Sequence, residues 1–134
     1  IIPFLVPHRN EYSETCGFKI IGPNKSVLFI PDIDKWSIWG KNLITEIEQV
    51  DIALIDGTFY NKNELKTRNV NKIPHPFVTD TMNLFKNKPN FIKNKIHFIH
   101  FNHTNPLLNK TSKEYKDLID KGFNISNKND QIKL

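Results

Sequence analysis

Short apolar runs rich in β-branched residues recur along the chain, and each is closed by a proline, a glycine or a polar residue. Such runs predict strands. Five of them lie at residues 1–6, 16–21, 27–30, 51–55 and 95–101. A small final pair of strands is predicted at residues 123–125 and 132–134. Residues 61–72 are polar and predict a loop.

Between the strands, apolar residues recur at the three- and four-residue spacing of a helix face. This spacing predicts a helix over residues 36–50. Thr79 is the predicted N-cap of a second, short helix, and Ser112 is the predicted N-cap of a helix over Lys113–Asp120 that Gly122 ends. Strands alternating with helices predict the α/β (α+β) class, with a mixed sheet because short turns join the first strands.

Length and composition are those of one globular domain with a sizeable core, since the chain has 134 residues and is 38% hydrophobic. No apolar run approaches the roughly 20 residues of a membrane helix, so we expect no membrane partner. The single Cys16 excludes an internal disulfide framework and favours a reducing, cytoplasmic location. Because the chain opens on Ile1 inside an apolar run, we expect it to begin within a longer protein.

The net charge of +5 suggests nucleic acid as a partner, but the pattern of the lysines does not support it. The lysines are scattered among Asn and Ile, without a basic helix face and without the aromatic–basic interleaving of an RNA-binding sheet. A Lys/Asn/Ile bias is also typical of an AT-rich coding sequence. The charge therefore carries little functional weight.

Polar side chains follow four of the predicted strands at the point where each strand ends: His8, Asp32, Asp56 and His100. If those strands end at one edge of the sheet, the side chains converge there. Two histidines and an aspartate suit zinc, iron or manganese, and a carboxylate can bridge two ions. His75 lies between two prolines on a stiff, extended loop, which makes it a candidate proton donor.

Each candidate also has a local structural interpretation, which is favoured when the residue is considered alone. Asp32 can accept the hydrogen bonds of a turn after Pro31, and Asp56 with Gly57 can form a turn. His97 is interpreted as a surface residue or a satisfied core residue. No CxxC or HExxH motif strengthens the metal interpretation.

Five segments in the same order resemble the C-terminal half of a metallo-β-lactamase-fold protein: VPHRNEYSETCGFKI, VLFIPDID, DIALIDGTFY, IPHPFV and FIHFNHTNPLL. They are most similar to the pyrroloquinoline quinone biosynthesis protein B family, with tRNase Z and phosphodiesterases further away. The resemblance implies that residues 1–134 form one domain, half of an αββα sandwich with helices on one face of a mixed sheet. The N-terminal half with its His-x-His-x-Asp-His motif is absent, and we expect it as a partner.

The resemblance also implies roles for the candidate residues. His8 matches a ligand of the first metal, Asp32 matches the aspartate that bridges both ions, and His100 matches the last histidine ligand, on the second metal. Asp56 matches the acidic residue that orients a histidine in tRNase Z-like members, and His75 matches that histidine. This pair would donate a proton to the leaving group.

The function implied is that of a metal-dependent hydrolase, which attacks a phosphodiester or acyl substrate with a hydroxide generated at a divalent metal. Zinc is the expected cofactor, with iron or manganese as alternatives. Pro31-Asp32 and His103 depart from the quinone-biosynthesis family, where Pro-Gly and Asn are found, and favour the hydrolase. An alternative is an iron-dependent hydroxylase of a tyrosine-containing peptide, and another is a binding half without metal or activity.

The turn after the last long strand offers two histidines, and we predict that only one binds metal. Strand alternation places His100 on the face of Phe98 at the point where the strand stops, which fixes its ring. His103 follows Asn102 in a freer turn. We therefore predict His100 as the ligand, and His103 and Asn102 as substrate-binding residues on the rim of the pocket.

Overall fold

The structure of the chain, a computed structural model, describes residues 1–9, 12–65 and 73–134. Within these residues, six strands form one sheet whose order follows the chain. The strands are β1 Ile2–Val6, β2 Thr15–Ile21, β3 Ser26–Ile30, β4 Ile52–Asp56, β5 Ile96–Ile99 and β6 Asn124–Ile125. The sheet is mixed, as the sequence predicts.

The direction of the strands brings most of their carboxyl ends together. β2 is antiparallel to both β1 and β3, while β3, β4, β5 and β6 run parallel to one another. β1 therefore points the same way as the four parallel strands. The carboxyl ends of β1, β3, β4, β5 and β6 lie at one edge of the sheet, which we call the carboxyl edge.

Helices cover one face of the sheet. They are α1 Leu43–Glu48, α2 Val78–Leu84, α3 Asn90–Lys93 and α4 Lys113–Asp120. They connect parallel strands whose order advances in one direction, and right-handed crossovers then place every helix on the same face. The sheet residues below them are fully buried and form the core with the helices: Leu28, Ile30, Ala53, Ile55, Ile96 and Phe98.

The opposite face of the sheet, which we call the second face, is less well covered. Phe29, Leu54 and His97 align across three neighbouring strands on this face, and all three are half-buried. The ring of Phe18 extends the row, with its centroid 6.5 Å from that of Phe29. Helices on one face and a half-buried apolar row on the other confirm the predicted fold.

The predicted helix over residues 36–50 is wrong in its first half. Trp36–Ile38 forms a single 3-10 turn, and α1 begins only at Leu43. Asn42 caps α1, since its side chain accepts a hydrogen bond from the backbone N–H of Thr45 at 3.2 Å. Because an N-cap residue adopts extended backbone, the chain is not helical at Asn42. The helix-like spacing of apolar residues therefore continues across a position where there is no helix.

The predicted cap at Thr79 is also wrong. α2 begins at Val78, and no side chain caps it. The N–H of Val78 donates instead to the carbonyl of Phe59 at 3.0 Å, and that of Thr79 donates to the carbonyl of Tyr60 at 3.1 Å. Backbone carbonyls from the segment after β4 thus satisfy the first turn of the helix, as a capping side chain otherwise would.

The C-terminal predictions are confirmed in part. α4 has the predicted bounds, and Ser112 caps it by accepting from the N–H of Tyr115 at 3.0 Å. Gly122 follows with a φ of +86°, which glycine adopts without strain. Residues 132–134 do not form the predicted strand, because Leu134 packs against Gly22 while β6 pairs with β5.

The remaining outcomes concern the loop at 61–72, the helix α3 and the lengths of the helices. Lys62–Glu64 forms a 3-10 turn within the predicted loop at 61–72, whose residues 66–72 lie outside the described part of the chain. α3 was not predicted from the sequence. Among the described residues, the helices are all too short or too polar to cross a membrane.

Candidate metal centre

The carboxyl edge gathers the four polar residues that follow strands in the sequence. His8 follows β1, Asp32 follows β3, Asp56 ends β4 and His100 follows β5. His75 joins them from the loop before α2, and one ligand atom each of Asp32, Asp56, His75 and His100 lies within 4.8 Å of the others. Nε2 of His8 lies 3.3 Å from Oδ2 of Asp32. We call these five residues the edge cluster.

Asp56 is fully buried and uses its whole capacity to accept hydrogen bonds. Its Oδ1 accepts from the backbone N–H of Thr58 at 2.8 Å and from the hydroxyl of Thr58 at 2.7 Å. Its Oδ2 accepts from the backbone N–H of Ile33 at 3.2 Å and from Nδ1 of His75 at 2.8 Å. A carboxylate has about four such positions, so Asp56 orients its neighbours and has no free lone pair for a metal.

His75 is held in one orientation. Asp56 accepts from three other donors, so its carboxylate acts as an acceptor toward His75 as well. Nδ1 of His75 therefore carries the proton, and Nε2 is left for chemistry. The backbone carbonyl of His75 accepts from Nζ of Lys35 at 2.7 Å, and the ring of Phe59 packs edge-on with its centroid 5.8 Å away. The side chain of His75 is 14% exposed, so a substrate at the edge can reach it.

Asp32 and His8 carry polar atoms that the described residues leave without a hydrogen bond. Oδ1 of Asp32 and Nδ1 of His8 are both buried and unpartnered there. An unpaired buried acceptor is destabilising, so such atoms point to a bound group. Two ligands of one tetrahedral zinc, each about 2.0–2.1 Å from the ion, lie roughly 3.3–3.4 Å apart. The 3.3 Å between His8 Nε2 and Asp32 Oδ2 fits that spacing.

His100 does not continue the strand, so the predicted extent of 95–101 is wrong. β5 ends at Ile99, and His100 has a φ of +61°, in the left-handed region that residues other than glycine adopt at a cost. The turn after β4 fixes this bend through two backbone hydrogen bonds. The N–H of Gly57 donates to the carbonyl of Ile99 at 2.8 Å, and that of Asn102 donates to the carbonyl of Thr58 at 2.9 Å.

The bend therefore orients His100, and the alternation of strand faces does not. Its Nδ1 lies 3.0 Å from the hydroxyl of Thr58, and its ring centroid lies 6.1 Å from that of His75. The close approach of the two chain segments also requires Gly57. A Cβ atom there would lie 3.0 Å from the carbonyl oxygen of Ile99 and 2.9 Å from the ring of Phe101.

The two predicted substrate-binding residues lie beside the edge cluster. His103 is exposed on the turn and takes no part in the group of converging ligand atoms. The side chain of Asn102 donates to Oγ1 of Thr104 at 2.6 Å, and that hydroxyl donates to Glu64 at 2.5 Å. The rim of the site is thus tied to the 3-10 turn at Lys62–Glu64.

Sequence reasoning missed Thr58 and Glu64. The Asp-Gly-Thr motif draws attention to the turn, but it gives no role to the hydroxyl. Glu64 accepts from the backbone N–H of Tyr60 as well as from Thr104, and nothing in the polar sequence around it signals this double contact.

A groove of about 700 Å³ opens next to the loop that bears His75. Its lining is largely aromatic and apolar with two lysines, and includes Lys35, Trp36, Trp39, Lys41, Pro76 and Leu84. Pro76, which directly follows His75 in the sequence, is one of these lining residues.

Comparison with known proteins places this geometry in context. Residues 2–101 match a family described as a beta-lactamase superfamily domain. The chain is similar to coenzyme PQQ synthesis protein B from Methylococcus capsulatus, with 24% identity over 132 residues that cover 90% of this chain and 41% of the relative.

Among solved structures, the chain is similar to Zn²⁺-bound PqqB from Methylobacterium extorquens. The TM-score is 0.72 with 21% sequence identity, and the match covers 92% of this chain and 46% of that chain. This likeness confirms the fold. The chain spans less than half the length of either of these two relatives.

Proposed function

The chain belongs to the beta-lactamase superfamily domain family, and from this premise we propose that it contributes to the metal centre of a metal-dependent hydrolase acting on a phosphodiester or acyl bond. One observation carries the proposal. His8, Asp32 and His100, which have atoms free for a cation, lie at the same edge of the sheet as the His75–Asp56 pair, which is hydrogen-bonded for proton transfer.

His8, Asp32 and His100 are the residues that would hold the metal. Imidazole nitrogens and a carboxylate suit zinc, with manganese and iron as alternatives. The unpartnered, buried Oδ1 of Asp32 supports a bound cation, as does the spacing of 3.3 Å between Nε2 of His8 and Oδ2 of Asp32. A divalent ion bound here would act as a Lewis acid and lower the pKa of bound water toward about 7.

His75 supplies the proton in this proposal. Asp56 keeps the Nδ1 proton in place, and Nε2 holds the proton that is transferred. As the bond to the leaving group breaks, its oxygen takes the Nε2 proton of His75, and the electron pair of that N–H bond stays on the imidazole. Because the carboxylate of Asp56 is buried and lies 2.8 Å from Nδ1 of His75, it would stabilise the imidazolium before the transfer.

The rim residues would contact the substrate. His103 is exposed, and the backbone of Asn102 is anchored to Thr58, so both can face a ligand bound at the edge cluster without leaving their turn. The groove beside Pro76 offers aromatic surface for an apolar leaving group.

The partner in this proposal is a second half-domain that packs on the second face and brings the remaining ligands. The chain offers three ligands for two ions, and its sequence contains no His-x-His-x-Asp-His motif. The half-buried apolar side chains of Phe18, Phe29, Leu54 and Ile99 support a covering layer on that face.

A second candidate function is a step in the synthesis of coenzyme PQQ. The match to coenzyme PQQ synthesis protein B favours it. In this case the site would hold one iron and use an oxygen-dependent hydroxylation of a tyrosine-containing peptide, since iron accepts a His/carboxylate set with open positions.

Metal analysis together with a hydrolysis assay separates these functions. The intact protein is expected to bind zinc or manganese and to cleave bis(4-nitrophenyl) phosphate or 4-nitrophenyl acetate, with activity lost after chelation and restored by the metal. A single iron without hydrolysis would favour the second candidate. A protein that binds no metal at all would overturn both and leave a binding half without activity.

A further inference from the structure

The hydroxyl of Thr58 lies at hydrogen-bond distance from three side chains of the edge cluster. Its Oγ1 is 2.7 Å from Oδ1 of Asp56, 3.0 Å from Nδ1 of His100 and 3.2 Å from Nδ1 of His75. Thr58 is 7% exposed, so water does not compete freely for these contacts. A hydroxyl donates one hydrogen bond and accepts two, which limits how the protons can be arranged.

Only one arrangement of protons lets both oxygens of Asp56 accept hydrogen bonds from Thr58 and His75. Oδ1 of Asp56 accepts, so the hydroxyl proton of Thr58 points to it. The Nδ1 proton of His75 points to Oδ2 of Asp56, because that contact at 2.8 Å is shorter than the 3.2 Å to Thr58. The lone pairs of Thr58 then face Nδ1 of His100, which must carry a proton to form the 3.0 Å hydrogen bond.

We propose that Thr58 is a positioning residue that holds His100 in its Nδ1-protonated tautomer, so that Nε2 is the atom that binds the metal. The proposal rests on the proposed function, in which His100 is a ligand. A histidine ligand ordinarily donates its second N–H to a fixed acceptor, and this contact orients the ring. The hydroxyl of Thr58 is that acceptor.

The backbone around Thr58 supports the same role. The carbonyl of Thr58 accepts from the N–H of Asn102 at 2.9 Å and from Nδ2 of Asn105 at 3.2 Å, which fixes the turn on the far side of His100. These contacts do not involve the side chain. Removal of the hydroxyl therefore leaves the turn anchored, while Nδ1 of His100 and Oδ1 of Asp56 each lose one hydrogen-bond partner.

Three variants of the intact protein test the proposal. Thr58→Val removes the hydroxyl and keeps the shape, while Thr58→Ser keeps the hydroxyl. Thr81→Val is the matched control, because Thr81 is fully buried and its hydroxyl accepts from Nε1 of Trp36 at 2.8 Å, away from the edge cluster. This substitution also removes a buried hydrogen bond, but one that does not involve His100.

The first measurement is the tautomer of His100, read from nitrogen-15 NMR of the metal-free protein at mildly alkaline pH. The wild type, Thr58→Ser and Thr81→Val should show the Nδ1–H form. Thr58→Val should populate the Nε2–H form. An Nε2–H tautomer in the wild type, or an unchanged Nδ1–H form in Thr58→Val, would overturn the proposal.

The second measurement is zinc affinity, determined by competition with a chromophoric chelator. Thr58→Val should lose about 10–100-fold, the usual effect of removing the partner of a metal-binding histidine, while the other two variants keep the wild-type affinity. If Thr58→Val bound zinc with wild-type affinity, the proposal that Thr58 supports metal binding through His100 would be overturned. If the wild type binds neither zinc nor manganese, the proposed function fails, and the NMR result alone then decides whether Thr58 sets the tautomer.

Discussion

Nδ1 of His75 lies 2.8 Å from Oδ2 of Asp56, and this contact joins a loop before α2 to the end of β4 across 19 positions of sequence. It is the shortest contact between a histidine and a carboxylate among the ion pairs of the described residues. Because three other donors also point at Asp56, the carboxylate cannot rotate away. The histidine is thus held by a group that is itself fixed.

Asp56→Asn should abolish most activity without removing the metal. The amide keeps one acceptor oxygen and places an NH₂ group against donors, so His75 loses its fixed tautomer. We expect turnover to fall by about 100-fold or more, and the free energy of unfolding to fall by about 1–3 kcal/mol. Turnover, bound metal and urea unfolding measure the three effects.

Asp51→Asn is the control for this change, since Asp51 is an exposed carboxylate just before the opposite end of β4. It should leave turnover as in the wild type. A loss of metal in Asp56→Asn would show that Asp56 is a ligand after all.

His100→Ala and His103→Ala should differ in metal content. His100 is bent into the edge cluster, whereas His103 is exposed on the turn. We expect His100→Ala to lose a metal ion together with activity, and His103→Ala to weaken turnover with the metal retained. Metal content by mass spectrometry and turnover distinguish the two. Loss of metal from His103→Ala alone would place the ligand on the other histidine.

Asp32→Asn should lose metal, while Asp34→Asn should not. Oδ1 of Asp32 is buried and free of hydrogen bonds among the described residues, and an amide at this position cannot supply the negative charge that a cation requires. Asp34 is two residues away and is anchored through its backbone N–H, which donates to the carbonyl of Pro7 at 2.7 Å. Equal zinc affinity in the two variants would contradict a ligand role for Asp32.

The sequence was sufficient for the part of the site that depends on where strands end. Apolar runs mark the strands, and β1, β3, β4 and β5 share a direction, so His8, Asp32, Asp56 and His100 meet at one edge. To predict that these four residues meet, it is enough to know the order and direction of the strands, and the packing of side chains is not required. The family resemblance supplied the role of each residue.

The rest depends on contacts between distant segments, which local patterns do not contain. His100 leaves the strand because Gly57 and Asn102 make backbone hydrogen bonds on either side of it. Thr79 is not a cap, because carbonyls after β4 already satisfy the first turn of α2. The hydroxyl of Thr58 acquires its role only when three side chains from three segments surround it.

Ser112→Ala should destabilise the protein through α4. The hydroxyl of Ser112 accepts from the N–H of Tyr115 at 3.0 Å and donates to the carbonyl of Pro106 at 2.9 Å, so it joins the helix to the preceding turn. Loss of an N-cap costs about 0.5–2 kcal/mol of unfolding free energy. Urea unfolding measures it, with the exposed Ser37→Ala as control. Equal stability of the two variants would contradict the capping role.

His97 should make the stability of the protein depend on pH. It lies on the second face, where burial lowers the pKa of its imidazole below the ordinary value of 6.5, and Asp130 opposes part of that effect. Nδ1 of His97 lies 3.4 Å from the hydroxyl of Ser126. Lys25 and Lys133 line the same cavity of about 480 Å³.

The sign follows from proton binding. In the unfolded chain His97 titrates near its ordinary pKa, so below about pH 6.5 the unfolded state binds more protons than the folded state, and the free energy of unfolding falls. Above that pH the imidazole is neutral in both states, so it no longer lowers the free energy of unfolding. His97→Gln should therefore lose less stability than the wild type between neutral and mildly acidic pH, measured by urea unfolding. His103→Gln, on the exposed turn, should behave like the wild type. An identical pH dependence in His97→Gln and the wild type would show that the second face tolerates the charged imidazole.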